Sequence, residues 1–320
     1  MPKNTRRKAT KTKNKTTCLV TGGAGFIGST LADRLVALGY KVIVVDDLSF
    51  GQRAFVPKRA TFYKMGIGDK KLASVFAKHK PDVVFHLAAQ IDVRVSVEDP
   101  MRDAEINLLG SLNVLSCAVK TGVKRFVFSS SGGAMYHLPA VCPTPEDAPC
   151  EPLSPYGVAK RSFELYLESA RHLHGISTIA LRYANVFGPR QGTKGEAGVI
   201  GLFTQYALAK KSLTIFGDGE QTRDFVYVDD VVNANVLAMD AKTNGVLNVG
   251  TGIQTSVNEI ARLICNETGA PLPKRAPARK GEEPFSALDA KNIRRAFGWK
   301  PNVSVAEGIR RTVAWFRENA

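Results

Sequence analysis

The segment that most restricts how this chain can fold is Thr21-Gly-Gly-Ala-Gly-Phe-Ile-Gly28. Before it stands Cys18-Leu19-Val20, a short apolar run that reads as a strand. After it, Ile27, Leu31, Leu35 and Leu38 recur at helical spacing, and Gly39 closes the helix. Gly22 permits a tight turn, Gly25 lets a pyrophosphate approach the backbone, and Gly28 lets helix and strand pack closely. The first helical turn, with Phe26 and Ile27, offers free N–H groups to the anion. The next strand, Lys-Val-Ile-Val-Val, ends at Asp46. An acid about 20 residues beyond such a loop holds the adenosine ribose hydroxyls. Asp46 and Asp47 would repel a 2′-phosphate, which favours NAD over NADP. A glycine-rich turn in an ordinary α/β protein is the plain alternative. The ordered series of strand, loop, helix, strand and acid favours a dinucleotide site.

A second pattern lies in Ser154-Pro-Tyr-Gly-Val-Ala-Lys160. Ser154 reads as a helix N-cap and Pro155 as the first helical residue. The four-residue spacing then puts Tyr156 and Lys160 on one helix face, one turn apart. A tyrosine hydroxyl ordinarily ionises near pH ~10. A neighbouring ammonium and a cationic cofactor ring favour the phenolate, so such a tyrosine can move a proton at neutral pH. Alone, the spacing also fits a core tyrosine beside a solvated lysine. The dinucleotide loop upstream weighs toward chemistry.

Strand and helix signals alternate through the first half. Strands are expected near 18–21, 41–46, 82–88, 124–130 and 177–183, and helices near 26–38, 70–79, 101–121 and 155–172. The alternation predicts a Rossmann-type, doubly wound parallel sheet, α/β in class, with helices on both faces. Ligands on such sheets sit at the carboxyl ends of the strands. Gly22, Asp46, Ala88-Ala89-Gln90 and Ser129-Ser130-Ser131 all fall at such ends. Past about residue 185 the chain is glycine-rich and less regular. The expected organisation is a tail over 1–16, an NAD-binding domain over 17–185 with part of 223–252 returning to it, and a smaller substrate-binding α/β domain over 186–320.

The formal charge of +15 is concentrated at the start. Residues 1–16 carry seven lysines and arginines and no acid, which leaves +8 for the remainder. Such a tail is expected to be disordered. It is the one place where nucleic acid or an acidic surface could be met, and no basic–aromatic stripe lies outside it. No run of 18 apolar residues exists, so no membrane span or membrane partner is expected. The five cysteines fit no zinc spacing, and no metal site is expected. Cys142 and Cys150 flank a proline-rich loop and could pair, with a reducing cytoplasm as the default location. His172 and His174 belong near a helix C-terminus.

Taken together, the loop, the acid and Tyr-x-x-x-Lys resemble the extended short-chain dehydrogenase/reductase superfamily. Further segments resemble its UDP-glucose 4-epimerases: His86-Leu-Ala-Ala-Gln90, Asn107 in Ile-Asn-Leu-Leu-Gly, Leu181-Arg-Tyr-Ala-Asn-Val-Phe-Gly-Pro-Arg190, Gly217-Asp-Gly-Glu-Gln-Thr-Arg-Asp-Phe-Val226, Asn248-Val-Gly-Thr-Gly252 and Arg279-Lys-Gly-Glu282. The resemblance spans roughly 17–318 and implies an NAD-dependent isomerase acting on a UDP-sugar. It implies Tyr156 as the acid–base residue and Lys160 as its partner, with Ser130 and Ser131 as catalytic hydroxyls. Implied cofactor contacts are Gly22, Gly25, Phe26, Ile27, Gly28, Asp46, Asp47, Leu87, Ala88, Ala89, Gln90, Asn107, Ser129, Tyr156, Lys160 and Tyr183. Implied substrate contacts are Asn185, Val199, Phe216, Arg223, Arg279, Glu282 and Ser286. Arg223 and Arg279 would grip the diphosphate with planar guanidinium forks. Arg190 reads instead as one half of a surface ion pair. A homodimer through helices 101–121 and 155–172 is implied as well.

Three positions depart from that pattern. Gly132 stands four residues before Tyr136, where many relatives have Ser or Thr; His137 replaces a glycine; Gly66 replaces an acid that holds adenine. The family's dehydratases and decarboxylases carry an acid just before the Tyr-Gly pair. Ser131-Gly-Gly-Ala-Met-Tyr136 has none, which favours C4 epimerisation over elimination. Ser286 falls where a bulky tyrosine excludes N-acetyl groups in some relatives, so UDP-N-acetylhexosamines fit beside UDP-glucose and UDP-galactose. UDP-glucuronate competes through Arg94. A non-catalytic NAD-binding sensor is the alternative from another class, resting on Gly66 and Gly132.

Overall fold

The computed structural model describes residues 16–136, 141–192, 198–278 and 284–319. Arg279, Glu282, His137 and nearly all of the basic tail lie outside these described residues. The first half forms β1 (Thr17–Thr21), α1 (Phe26–Ala37), β2 (Lys41–Asp46), β3 (Thr61–Lys64), α2 (Leu72–His79) and β4 (Val83–His86). Next come α3 (Val93–Glu98), α4 (Pro100–Ala104), a π-helical turn (Glu105–Gly110), α5 (Ser111–Thr121), β5 (Arg125–Ser131), α6 (Pro155–His174) and β6 (Ser177–Tyr183).

A seven-stranded sheet of order β11-β6-β5-β4-β1-β2-β3 organises the described residues, and every pairing within it is parallel. The chain runs outward from β1 to β3 and then returns to start β4 on β1's other side. The strand order therefore reverses between β1 and β4, which opens a crevice at their carboxyl ends. Both faces of the sheet are covered, and alternation within a strand serves both. Cys18 and Val20 pack with Leu31 and Leu35 of α1, while Leu19 packs with Phe76 of α2 and Phe163 of α6.

The seventh strand, β11 (Gly245–Val249), joins late, through α8 (Val228–Asp240). Its partner is β6, so residues 245–249 extend the central sheet. The other elements of the second half combine strands of two or three residues with helices of 7 to 14. They are β7 (Asn185–Phe187), α7 (Val199–Leu208), β8 (Thr214–Phe216), β9 (Thr222–Arg223), β10 (Phe225–Tyr227), β12 (Thr255–Ser256), α9 (Val257–Thr268), β13 (Lys274–Ala276), α10 (Lys291–Phe297) and α11 (Val305–Glu318). The strands pair as three separate two-stranded ladders, β7 with β10, β8 with β13 and β9 with β12.

Local chemistry follows the sequence closely at α6. The Ser154 side chain accepts a hydrogen bond from Gly157 N, Pro155 opens the helix, and Gly175 ends it at φ 69°. One expectation is corrected. The helix expected over 101–121 widens into the π turn at 105–110 before α5 resumes. Such a turn inserts one residue per ring and marks functional sites often. Apolar spacing does not reveal it. Cys142 and Cys150, which could have paired across the proline-rich loop, are free thiols, as are the other three cysteines.

Candidate active site

The carboxyl ends of β1, β2 and β4 converge on the glycine loop. Gly22 has φ +69°, and a Cβ there would stand 2.7 Å from Ala88 N, so the loop lies directly on the Leu87-Ala88 backbone. A Cβ on Gly28 would strike the carbonyl of Gly22. The close approach that Gly28 permits is thus between helix and loop, rather than between helix and strand. Gly25 caps α1 without any side-chain hydrogen bond, so the first-turn N–H groups of Phe26 and Ile27 point into the crevice unclaimed by a cap.

Asp46 is buried at the end of β2. Its Oδ2 accepts from Ala24 N at 2.9 Å and its Oδ1 from Leu48 N at 2.8 Å. Burial pushes its carboxyl up against the opposing effect of those two donors. Each oxygen keeps a lone pair for a hydroxyl donor. Asp47 accepts from Ser49 N, and the Cα of Gly66 faces its Oδ2, with a Cβ there 4.0 Å away. Asp69, three residues beyond Gly66, accepts from Lys71 N and caps its own turn.

Several expected contacts prove to be structural through their side chains. Asn107 is buried in the π turn, where Oδ1 accepts from Gln90 N at 2.8 Å and Nδ2 donates to Gln90 O and Asp103 Oδ1. The Gln90 amide donates to Asp92 O and Asp103 Oδ1. Both side chains are spent fixing the loop after β4, which leaves its backbone, Leu87 to Gln90, to line the crevice. The Tyr183 hydroxyl lies 3.0 Å from Asn235 Oδ1 and also meets Ser129. Burial raises it to about 12, so its side chain is corrected to a core group. Ser130 is corrected likewise. Strand alternation turns it to the α6 side, where its hydroxyl donates to Glu164 at 2.7 Å. Ser131 is half-buried, and its hydroxyl accepts from Ala134 N at 3.3 Å at the edge of the crevice. The space where a side chain at 132 would stand is filled by Leu288, with Cδ2 at 2.8 Å from an ideal Cβ, so Gly132 is matched to Leu288.

Tyr156 is half-buried in the first turn of α6, and Lys160 below it is 4 % exposed. The Lys160 ammonium donates to Ser129 O at 2.9 Å and sits 5.6 Å from the centre of the Tyr156 ring. Burial lowers its pKa to about 8, against the stabilising charges of Asp103 and Glu164. Behind the pair, Glu164 binds Arg182 through two bonds of 2.9 and 2.7 Å, and Arg161 at 2.9 Å. Burial raises the Glu164 carboxyl, but those guanidiniums outweigh it and hold it below its usual value. Arg182 also donates to the Tyr136 hydroxyl at 2.6 Å.

On the substrate side, Asn185 is half-buried at the start of β7, opposite Phe225. Arg223 is half-buried in β9, beside Ser286, because Thr222 N donates to Pro284 O and Ser286 N to Thr222 O. Phe216 ends β8 and Val199 opens α7, both half-buried. Arg190 binds Asp33 at 2.7 Å and Ser29 on α1, as a surface ion pair would. Arg94 is held by both oxygens of Asp92.

Two residues escaped the sequence reading. Asp224 is buried between Arg223 and β10, and its carboxylate accepts from Thr251 N, Thr251 Oγ1, Gly252 N and Leu288 N. It pins the glycine turn after β11. Its only sequence signal was its place in the Gly217–Val226 segment, between Arg223 and Phe225. His86 is fully buried between Thr21 Oγ1 at 2.7 Å and Ser111 Oγ at 2.8 Å, and burial lowers its pKa to about 3. It was visible only as part of a motif.

A parallel sheet with this switch point, a glycine cradle on α1 and a Tyr-Lys pair on α6 define an extended short-chain dehydrogenase/reductase. The model of the NAD dependent epimerase/dehydratase family matches residues 18–250, and the chain belongs to that family. It is 45 % identical over 309 residues to a UDP-glucose 4-epimerase from Mycolicibacterium smegmatis, covering 94 % of this chain and 99 % of the relative. A UDP-glucose 4-epimerase from Thermotoga maritima, solved with UDP-glucose, superposes with TM-score 0.92 at 49 % identity, over 95 % of this chain and 99 % of that one. A UDP-glucose 4-epimerase from Thermus thermophilus, solved with NAD, gives TM-score 0.90 at 41 % identity, over 95 % and 100 %. The cofactor is NAD. The cradle fits it, because a side chain on Gly22 or Gly28 would fill space the loop needs, and the acids at 46 and 47 oppose a 2′-phosphate.

Proposed function

We propose that this protein interconverts the C4 epimers of a UDP-sugar. The observation that carries the reading is the half-buried Tyr156 one turn above the buried Lys160, which is tied to the carboxyl end of β5, the same sheet edge at which the glycine loop follows β1. NAD, when bound, accepts the C4 hydride and later returns it. Tyr156 takes the proton of the 4-hydroxyl and gives it back in the second half of the cycle. The Lys160 ammonium, held by Ser129 O, favours the phenolate. Ser131 is the hydroxyl placed to meet the sugar oxygen. Between the two half-reactions the 4-keto sugar must turn over, so binding strength belongs on the UDP rather than on the sugar. Arg223 and Arg279 supply it, with Asn185, Glu282, Phe216 and Val199 around the nucleotide. Small Ser286 leaves room for an N-acetyl group. Arg94 is already engaged by Asp92, which favours neutral sugars over a uronate.

A homodimer fits the outer faces of α4 to α5 and α6. There Met101, Leu109, Leu165 and Tyr166 are 79, 60, 52 and 47 % exposed, an apolar surface that association would cover. Sedimentation of the wild-type chain and of a Met101→Glu/Leu165→Glu variant tests it, the variant being expected to sediment as a monomer.

Proton NMR of the protein with NAD and, separately, UDP-galactose, UDP-N-acetylgalactosamine and UDP-glucuronate tests the reaction. The expected result is a new anomeric signal from the C4 epimer of the first two. Unchanged spectra with all three, while NAD is bound, would overturn the reading and favour a non-catalytic sensor.

A further inference from the structure

Asp103 is 1 % exposed on α4, yet the mechanism has given it no task. Its Oδ1 accepts from Gln90 Nε2 at 3.0 Å and from Asn107 Nδ2 at 2.8 Å. Its Oδ2 is buried and has no hydrogen-bond partner among the described residues. Leaving a carboxylate oxygen in that state is costly, and it persists in folded proteins where another charge or a functional constraint holds it. Asn107 reaches Asp103 from the next helical turn, where the π turn begins, so the local widening helps fix which way the carboxylate points. The helix α4 packs on α6, and both Asp103 on the first and Lys160 on the second are buried.

The geometry points to Asp103 as a positioning residue: its carboxylate, with Oδ2 as the free acceptor, supplies the counter-charge that keeps the Lys160 ammonium protonated beneath Tyr156. This rests on the Tyr156–Lys160 reading above. The surroundings of Lys160 leave little else for the task. Among attractive charges Asp103 ranks ahead of Glu164 for Lys160, and Lys160 in turn opposes the upward push of burial on Asp103. Glu164 is already divided between Arg182 and Arg161. From β4, His86 is neutral and hydrogen-bonded at both nitrogens. On α6 itself, Tyr156 presents its ring to the ammonium, and on β5 Phe128 does the same at 4.8 Å. Arg94 on α3 and Glu105 in the π turn face solvent.

The test follows the Lys160 ε-carbon by 13C NMR in the NAD-loaded protein, assigned through its loss in Lys160→Arg. Asp103→Asn keeps the shape and removes the charge. Asp103→Ser removes the charge with less bulk, in case the amide disturbs folding. In both, the Lys160 titration midpoint is expected to fall by about one pH unit, a tenfold change in proton affinity, and the alkaline limb of kcat to move down with it. An unmoved Lys160 midpoint, even with a lowered melting temperature, would overturn the proposal and leave Asp103 a structural group. A fallen midpoint with an unmoved alkaline limb would uphold Asp103's role toward Lys160. It would count instead against Lys160 acting on Tyr156.

Discussion

The cofactor half and the substrate half of this molecule solve recognition in opposite ways. In the first, polar side chains are turned inward and consumed. Gln90, Asn107, Ser130 and His86 all bond to the protein itself, and Asp46 does so while keeping a lone pair on each oxygen. What faces the crevice is mainly backbone, approached closely because Gly22 and Gly28 carry no side chain. In the second half the candidate contacts are half-buried side chains, with Asn185, Phe216 and Arg223 on ladders of two or three residues and Ser286 hydrogen-bonded beside one of them. A frame built from a seven-stranded sheet suits a cofactor bound in one pose. Short ladders and loops suit a ligand that must enter, turn and leave, since such segments open at lower free-energy cost than a core sheet. The contrast is one of preorganisation, and it can be broken at several points.

The largest effect should come where the halves meet. Tyr156→Phe removes the proton acceptor without removing the ring. It is expected to lower kcat by about three orders of magnitude, about 4 kcal/mol in activation free energy, while UDP-sugar affinity, measured by calorimetry, stays within about twofold. A variant that kept near-full turnover would take the chemistry away from the rigid half.

Next is stability. Arg182→Leu leaves the buried Glu164 carboxylate without its main partner. Denaturant unfolding should show a loss of about 3 kcal/mol. The double variant Glu164→Leu/Arg182→Leu should recover at least half of it, because removing both charges leaves no unpaired one. No recovery would mean that the network matters through its bonds to Ser130 and Tyr136 rather than through its charges.

The two halves were also unequally legible in the sequence. The alternation of strands and helices, the cradle and the head of α6 could be read because each rests on local rules: apolar patterning, glycine spacing, and Ser154-Pro155. The inward turn of Ser130 could not, since Ser129-Ser130-Ser131 fixes a strand but not which face meets α6. The π turn at 105–110 was invisible because its residues keep an apolar pattern that an ordinary helix would also satisfy. On the substrate side, the motif segments could be located, but the pairing of Thr222 with Pro284 and Ser286 joins residues more than sixty positions apart. Nothing local encodes that. Gly132 looked like a missing hydroxyl, and only the packing of Leu288 supplies the reason for it.

A smaller effect tests the rigidity of the cofactor half by pH. His86 ionises near 6.5 when unfolded, but burial lowers it to about 3 in the folded chain. Its neutral form therefore contributes stability that is full above pH 6.5 and is lost as pH falls toward 3. Between pH 7.5 and pH 5 the loss from this one group should be about 2 kcal/mol. The expected observation is that His86→Gln, whatever its stability at pH 7.5, shows a pH dependence weaker by about that amount in urea unfolding. An equal dependence in both proteins would place the titrating group elsewhere.

The smallest effect on the fold, and the most selective on function, belongs to Ser286. It is half-buried, and its backbone N–H binds Thr222 O, so the side chain can change without breaking the strand-like contact that positions it beside Arg223. Ser286→Tyr adds bulk at the edge of the sugar pocket and nothing to the core. The melting temperature should move by no more than about 2 °C, as for a surface substitution within ±0.5 kcal/mol. Turnover of UDP-galactose should change by less than about threefold. Turnover of UDP-N-acetylgalactosamine should fall at least tenfold, since a bulky ring cannot share the space with an acetamido group and a steric conflict of about 1.4 kcal/mol suffices for that ratio. Equal losses on both sugars would mean that residue 286 faces the UDP rather than the hexose.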